Sequence, residues 1–245
     1  MIGLLVWKSP ERGKRQKRIV SQPCSVLQMR MLCLEVLRGE KTPEAVVRRR
    51  VTAAAKRFRR EGITEIVPPS DFAYLPQLDK EGVRTVPVLP LARALAVRLV
   101  RREVERLELL PVSVRVAVCG EALTGELVRT VRELALLYRY VLLEAPGGEE
   151  LSRQLRREYG VSLLVGPGRA QMEAANVTVL FSPREEGEGQ GTALSLYEGA
   201  ELRLPKLGLP PVLEEQLPLQ AERTALLAAL HRCGAIRTEQ IRLET

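Results

Sequence analysis

The sequence predicts an α/β fold, in which a parallel sheet carries helices on both faces and is preceded by a smaller α/β domain. Four short apolar segments between residues 112 and 181 are rich in β-branched residues, and each is closed by Gly or Pro. Two amphipathic segments of helical length lie between them. Strands without polar alternation, joined by long connections, are typical of a parallel sheet that is buried on both faces.

Residues 1–110 are predicted to form a basic α/β domain that ends in a long connector helix. Its predicted strands are residues 2–7, 18–21, 64–67 and 83–88, and the first two are expected to pair as a hairpin. Its predicted helices are residues 25–37, 43–61, 71–80 and 91–109. Gly39 follows the first of them. Thr42 is the predicted N-cap of the second, which ends at Gly62, and Ser70 is the predicted cap of the third. The helix after Thr42 is expected to bury a face that contains Ala45, Val46, Ala53, Ala54 and Phe58.

Residues 111–245 are predicted to form a Rossmann-like domain with an irregular carboxyl-terminal extension. The predicted strands are residues 114–119, 140–144, 161–165 and 177–181, with helices at 122–137 and 148–159. The predicted extension consists of a Glu- and Gly-rich loop at 182–191, a strand at 193–197, an irregular segment at 204–218, a helix at 222–232 and an edge strand at 236–243.

In such sheets, ligands lie at the carboxyl ends of the strands. The loops at 120–125, 144–148 and 166–169 are therefore the first candidates for a binding site. Their candidate ligand-binding residues are Gly120, Gly125, Glu144, Gly166, Gly168 and Arg169.

The turn after the first strand of this domain keeps only the outer spacing of the dinucleotide motif G-x-G-x-x-G. Gly120 and Gly125 are present, but Ala122 stands where the middle glycine belongs. In the full motif, backbone N–H groups at the helix N-terminus hold a pyrophosphate. Glu121 and Glu126 add negative charge there, which favours the helix dipole but repels a phosphate. A purely structural turn is the alternative interpretation.

Glu144 ends the second strand 24 residues after Gly120, close to the position from which an acidic residue binds an adenosine ribose. On these residues, the region resembles NAD(P)-binding Rossmann domains. A preceding α/β domain joined by a long helix is similar to the layout of shikimate dehydrogenases. The resemblance implies NAD(P) bound at the loops after Gly120 and Glu144. Residues 1–110 show no counterpart of the catalytic lysine and aspartate of that family, so catalytic residues stay unassigned.

The segment Gly166-Pro167-Gly168-Arg169 follows the third strand, on the same expected sheet edge. The planar guanidinium of Arg169 could meet a carboxylate or a phosphate there. A tight turn with a solvated arginine is the alternative.

The basic charge belongs to the amino-terminal quarter of the chain. Residues 1–60 contain 16 Lys or Arg against 4 Glu, whereas the net charge of the whole chain is +8. The clusters at 8–18 and 48–60 provide the charge that phosphates need, with Arg48, Arg49, Arg57 and Arg60 as candidate contacts. Aromatic residues make up only 4% of the chain, so stacking platforms for bases are not evident. A solvated helix face is the alternative interpretation.

Other classes of site are poorly supported. His231 is the only histidine, and together with Cys233 it provides fewer ligands than zinc requires, so no metal site is predicted. No G-x-S-x-G nucleophile motif occurs. The start of the chain lacks the charge order of a secretory signal, which predicts a cytoplasmic protein. Two functions therefore stay open: a protein that binds a nucleotide or small anionic ligand at its strand-end loops, and a non-catalytic regulatory protein with a basic surface for nucleic acid or an acidic partner.

Overall fold

A computed structural model describes residues 1–10, 17–184 and 191–244. The chain forms two compact units, one made of residues 1–88 and 206–245 and the other of residues 89–205. The units divide after residues 88 and 205, whereas the predicted domain boundary lies between residues 110 and 111. The predicted connector helix falls in the second unit, and the carboxyl-terminal forty residues fall in the first. In the described part of the chain, no helix is long and apolar enough to cross a membrane.

The first unit contains a mixed five-stranded sheet with the order β2-β3-β1-β4-β5. Strand β1 pairs in parallel with β3 and β4, β4 pairs in parallel with β5, and β2 pairs antiparallel with β3. The strands are β1 (Ile2–Lys8), β2 (Ile19–Val26), β3 (Met29–Leu37), β4 (Glu65–Val67) and β5 (Arg84–Thr85).

The predicted helix at 25–37 is wrong, because this segment contains the end of β2 and the whole of β3. Both faces of β3 carry buried side chains, so the period-two alternation of a half-exposed strand is lost and an apolar spacing like that of a helix results. The predicted hairpin between residues 2–7 and 18–21 is also wrong. The hairpin joins β2 to β3 through Leu27 and Gln28, whose φ angles of 44° and 69° suit a two-residue turn.

Helix α1 (Glu44–Arg60) begins two residues after Thr42, which is not its N-cap. The Thr42 hydroxyl instead accepts a hydrogen bond from the backbone N–H of Gly39. The predicted face is partly wrong, since Ala45 and Ala53 are exposed. The buried residues of α1 are Val47, Val51, Ala54, Ala55 and Phe58.

The helix that follows β4 is shorter than predicted. Helix α2 (Leu75–Asp79) begins after Tyr74, so Ser70 does not cap it. The backbone N–H of Ser70 instead donates to the carbonyl of Gln220. Helices α3 (Leu89–Ala94) and α4 (Ala96–Arg106) replace the single helix expected at 91–109, and both belong to the second unit.

Carboxyl-terminal residues complete the first unit. The N–H of Glu222 donates to the carbonyl of Pro68, and Arg232 forms an ion pair with Glu65 of β4. Only the last two residues of the predicted edge strand at 236–243 are a strand, because a 3-10 helix (Thr238–Gln240) precedes them. The remaining elements of this unit are β11 (Leu207–Gly208), which pairs with β12 (Arg242–Leu243), α8 (Pro211–Glu214) and α9 (Arg223–Arg232).

The second unit has the predicted parallel sheet, with a fifth strand at residues 192–195, where the segment 193–197 was predicted to belong to the irregular extension. Its five strands have the order β10-β9-β6-β7-β8, and all neighbours are parallel. Counted from the first strand of this unit, the order is 3-2-1-4-5, which is the order of a Rossmann fold. The strands are β6 (Arg115–Cys119), β7 (Tyr140–Glu144), β8 (Leu164–Val165), β9 (Val177–Leu180) and β10 (Thr192–Ser195), and the helices between them are α5 (Gly125–Leu137), α6 (Gly148–Tyr159) and α7 (Arg169–Glu173).

Helices flank both faces of this sheet, as predicted. The register places Leu143 beside Val165, and a Cβ on Gly148 of α6 would lie 2.8 Å from Val165, so α6 covers that face. On the opposite face, Met172 of α7 joins a buried cluster with Ala117. The expected fold class, an α/β protein with a Rossmann-like parallel sheet, is confirmed.

Candidate functional site

Three strand-end loops meet at the carboxyl edge of the second sheet. Cys119 and Glu144 are register partners at the ends of β6 and β7, and the N–H of Gly120 donates to the Glu144 carbonyl at 2.9 Å. The N–H of Gly166 donates to the carbonyl of Leu143 at 3.0 Å. Gly120, Glu144 and Gly166 therefore share one edge, as the parallel topology predicts.

Gly120 is required by close packing. A Cβ at this position would lie 2.5 Å from Cδ1 of Leu127, a buried residue in the first turn of α5. Helix α5 begins at Gly125 rather than at the predicted residue 122. Its N-cap is Thr124, whose hydroxyl accepts from the N–H of Leu127 at 3.3 Å. The turn thus brings the N-terminus of α5 close to the end of β6, and Gly125 itself lies in open space.

Glu144 lies beside a thiol and a guanidinium. Its Oε2 atom is buried and is 3.2 Å from Nε of Arg184, while 43% of its side chain is exposed. The pKa of the Cys119 thiol is raised to about 12; burial is the largest cause, the negative charge and hydrogen bonding of Glu144 also raise the pKa, and the Arg184 charge lowers it. Cys119 is therefore a neutral thiol, and the Arg184 charge lies beside the Glu144 carboxylate.

The sequence gives no signal for Arg93, which lies in α3 but reaches the same edge. Its Nε donates to the carbonyl of Leu196 at 2.8 Å, and its guanidinium lies 5.7 Å from the ring centroid of Phe181. It also forms an ion pair with Glu126, at 3.0 Å, in the first turn of α5. Arg93 thus offsets the negative charge that Glu126 brings to this helix N-terminus.

The loop after β8 offers fewer groups that could bind a ligand. Gly166 has a φ of +58°, and the N–H of Gly168 donates to Oε1 of Gln171. Arg169 forms an ion pair with Glu173 at 2.7 Å, and 83% of its side chain is exposed. The structure thus brings Gly166 to the edge, whereas the Arg169 guanidinium already meets a carboxylate on its own helix.

The first unit has a separate cavity of about 910 Å³. Nε1 of Trp7, the only tryptophan, donates to Asp71 at 2.7 Å, and the Arg38 guanidinium lies 4.8 Å from the Trp7 ring centroid. The charged lining residues are of both signs, so they favour neither anions nor cations; they are Arg38, Lys41, Glu40, Glu44 and Asp71.

No protein-family model matches the chain, and no curated protein matches it. Among solved structures it is similar to the L-tryptophan dehydrogenase of Nostoc punctiforme, at 13% identity and a TM-score of 0.28, over 61% of this chain and 44% of that one. It is also similar to the D-lactate dehydrogenase of Escherichia coli, at 13% identity and a TM-score of 0.30, over 61% and 58% of the two chains. The ornithine transcarbamoylase of Giardia lamblia matches at 11% identity and a TM-score of 0.30, over 61% and 53%.

The chain thus spans only about half the length of these structures. The fold class rests on the strand order and register of its own second sheet.

Proposed function

We propose that the second unit binds a nucleotide or another small anionic ligand at the loops that contain Gly120, Glu144 and Gly166. The observation that carries this proposal is the position of Glu144, at the end of the strand beside the Gly120 turn. An acidic side chain at this place in a Rossmann fold accepts hydrogen bonds from ribose hydroxyls. The N-terminus of α5 offers backbone donors to a phosphate nearby.

Two features support an anion at this edge despite the glutamates in the turn. Arg93 is ion-paired with Glu126, which reduces the repulsion of a phosphate at the start of α5. Arg184 forms an ion pair with Glu144 at 3.2 Å, which reduces the repulsion between that carboxylate and a ligand phosphate. Glu121 is exposed and can turn toward water.

NAD(P), which the resemblance to Rossmann dehydrogenases implies, fits this edge only in part. Glu144 suits the adenosine ribose, but Ala122 replaces the glycine that lets the backbone approach a pyrophosphate. The shikimate dehydrogenase layout belongs to the same proposal and stays a prediction. We therefore propose an adenosine-type mononucleotide before a dinucleotide, and we assign no catalytic residue.

Isothermal titration calorimetry with AMP, ADP and NAD tests this proposal. Glu144→Gln keeps the shape of the side chain and removes its charge, so AMP affinity should fall about tenfold, the loss of one or two hydrogen bonds to a charged group. Glu158→Gln, the same change at the exposed end of α6, should leave it unchanged. Equal affinity for the wild type and Glu144→Gln, with matching melting temperatures, would remove Glu144 from the site.

A second candidate function rests on the outward face of α1. Arg48 pairs with Glu44, Lys56 lies 3.8 Å from Glu81, and Arg59 donates to the Glu81 carbonyl. Arg49, Arg57 and Arg60 are exposed and lie toward one side of the helix, so their charges can face the phosphates of a nucleic acid.

This second proposal, a basic surface for nucleic acid or an acidic partner, predicts weak, non-sequence-selective binding that falls steeply with salt. Fluorescence anisotropy with a labelled DNA duplex measures it. Changing Arg49, Arg57 and Arg60 together to Glu should abolish the binding and leave the melting temperature unchanged, since the buried face of α1 is untouched. Binding that survives the triple change would exclude this surface.

A further inference from the structure

One face of the second sheet is only partly covered. The register places Ala117, Leu142 and Leu164 side by side on this face. Within the described residues, the helix that packs on the cluster around Ala117 is α7, which has only five residues. Toward the amino ends of the strands, Tyr140 is 43% exposed and Leu164 is 40% exposed. Apolar surface of this kind, left open in a parallel sheet, indicates a binding surface.

A cavity of about 700 Å³ lies at the amino ends of these strands, and Tyr140, Leu142 and Leu164 of the open face line it. Its volume is that of a site for a small molecule. Its apolar lining comes from the end of α5, from β7, from the segment before β8 and from β8 itself; these residues are Ala135, Val141, Leu142, Val161, Leu163 and Leu164.

The charges at this cavity are all positive. Arg115 and Arg139 line it, and none of its lining residues is Asp or Glu. Both arginines are exposed, and the Arg139 guanidinium lies 5.4 Å from the ring centroid of Tyr140. Tyr138 and Gln171 add polar groups that can donate hydrogen bonds. Apolar walls beside two guanidinium groups complement a ligand that joins an apolar body to a carboxylate or phosphate.

We propose that this cavity binds a small aromatic or aliphatic anion. Arg115 and Arg139 hold the anionic group, while Tyr140, Leu142 and Leu164 contact the apolar body. The site is independent of the proposed nucleotide site. Arg115 and Tyr140 begin the strands that Cys119 and Glu144 end, so the two sites lie about 13 Å apart along the strands.

Calorimetric titration with two probes of nearly the same shape tests this proposal. Naphthalene-2-carboxylate carries the charge and 2-naphthylmethanol does not. The carboxylate should bind saturably and about tenfold more tightly than the alcohol, as expected for a charge-assisted hydrogen bond. The double change Arg115→Gln and Arg139→Gln should lower the affinity for the carboxylate to that for the alcohol.

The matched control changes two exposed arginines outside the cavity, Arg132→Gln and Arg157→Gln, and should leave both affinities unaltered. Leu164→Glu, which places a negative charge among the apolar walls, should abolish binding of the carboxylate. AMP binding should be unaffected by the Arg115 and Arg139 changes, so failure of the nucleotide proposal and failure of this one are distinguishable.

Two outcomes would overturn the proposal. One is carboxylate and alcohol affinities that are equal and insensitive to the arginine changes. The other is a concentration-dependent dimer in sedimentation velocity that Leu164→Glu dissociates, because a second copy of the chain would then occupy this face.

Discussion

The thiol of Cys119 and the carboxylate of Glu144 lie on neighbouring strands at the carboxyl edge of the second sheet. Burial and the adjacent carboxylate raise the pKa of Cys119 to about 12, so its reactive thiolate form is scarce near neutral pH. Cys233 differs from it, since that side chain is exposed at the end of α9.

We therefore expect Ellman's reagent to modify Cys233 rapidly in the folded protein at pH 8 and Cys119 only after unfolding. Cys233→Ser should remove the fast phase. Glu144→Gln should lower the pKa of Cys119, but burial keeps the thiol slow to react. Peptide mapping after brief labelling identifies the modified residue, and early modification of Cys119 would contradict the expected order.

Glu65 is a second residue whose pKa is shifted by its neighbours. The hydrogen bond from Arg232 is the main cause that lowers the pKa of Glu65, and Arg84, at 3.0 Å, lowers it further against the effect of burial. Because the pKa is lower in the folded than in the unfolded protein, these contacts stabilise the fold above the unfolded-state pKa of about 4.3. The stabilisation is lost as the pH falls through the folded-state pKa.

Arg232→Met should accordingly reduce the free energy of unfolding at pH 7 by up to about 1 kcal/mol, since the pair is partly exposed. At pH 3 the difference between the variant and the wild type should be smaller, because part of the stabilisation is lost as Glu65 becomes protonated. Urea unfolding at both pH values measures the difference. Arg48→Met, which removes an exposed ion pair on α1, is the control and should change little at either pH. A difference that grows on acidification would reverse the sign expected here.

At the scale of elements, the packing of α1 on β1 depends on the absence of a side chain at Gly3. A Cβ there would lie 2.5 Å from the Phe58 ring and 2.8 Å from Ile66, and both of those residues are fully buried. Gly125, at the start of α5, is the opposite case, because a Cβ there would meet no atom within 4 Å.

Gly3→Ala should therefore destabilise the protein by about 1–3 kcal/mol through overpacking. Gly125→Ala should leave stability unchanged or raise it by about 0.5–1 kcal/mol, because alanine loses less conformational freedom than glycine in a helix. Chemical denaturation of both variants beside the wild type makes the comparison. A Gly3→Ala variant as stable as the wild type would mean that α1 can shift away from β1 at little cost.

At the scale of the molecule, the second unit is one continuous segment, whereas the first unit is built from both ends of the chain. Residues 206–245 contribute backbone hydrogen bonds from Glu222 to Pro68 and from Ser70 to Gln220, and the ion pair of Arg232 with Glu65. In a fragment that lacks residues 206–245, Pro68, Ser70 and Glu65 of the first unit lose these partners.

Residues 89–205 expressed alone should therefore fold cooperatively, and residues 1–88 alone should not. Circular dichroism during thermal unfolding, with limited proteolysis, distinguishes the two fragments. Joining residues 1–88 to 206–245 through a short Gly/Ser linker is the control and should restore a cooperative transition. A stable, protease-resistant 1–88 fragment would show that the carboxyl-terminal residues are dispensable to the first unit.

The sequence alone predicted the four strands β6 to β9 of the second sheet and the edge that carries its candidate site, whereas it did not predict that β10 joins this sheet. Short β-branched strands and full-length helices alternate there, so the local preferences agree with the parallel topology, and β7 and α6 have their predicted bounds. Glu144 and the Gly120 turn could be located in this way because both follow directly from a strand end.

Only the tertiary structure decided the strand pairing of the first unit, the strand β3 and the partners of the candidate site. The pairing of β1 with β3, and the return of residues 206–245 to this unit, depend on contacts that are distant in sequence. Because β3 is buried on both faces, its apolar residues have a spacing like that of a helix, and the sequence predicted a helix there. Arg93 reaches the carboxyl edge from α3, whose local sequence gives no sign of it, whereas Arg184 follows the end of β9 and only its ion pair with Glu144 was not foreseen. Periodicity records only which face of an element is apolar, whereas these contacts depend on which elements the folded chain brings together.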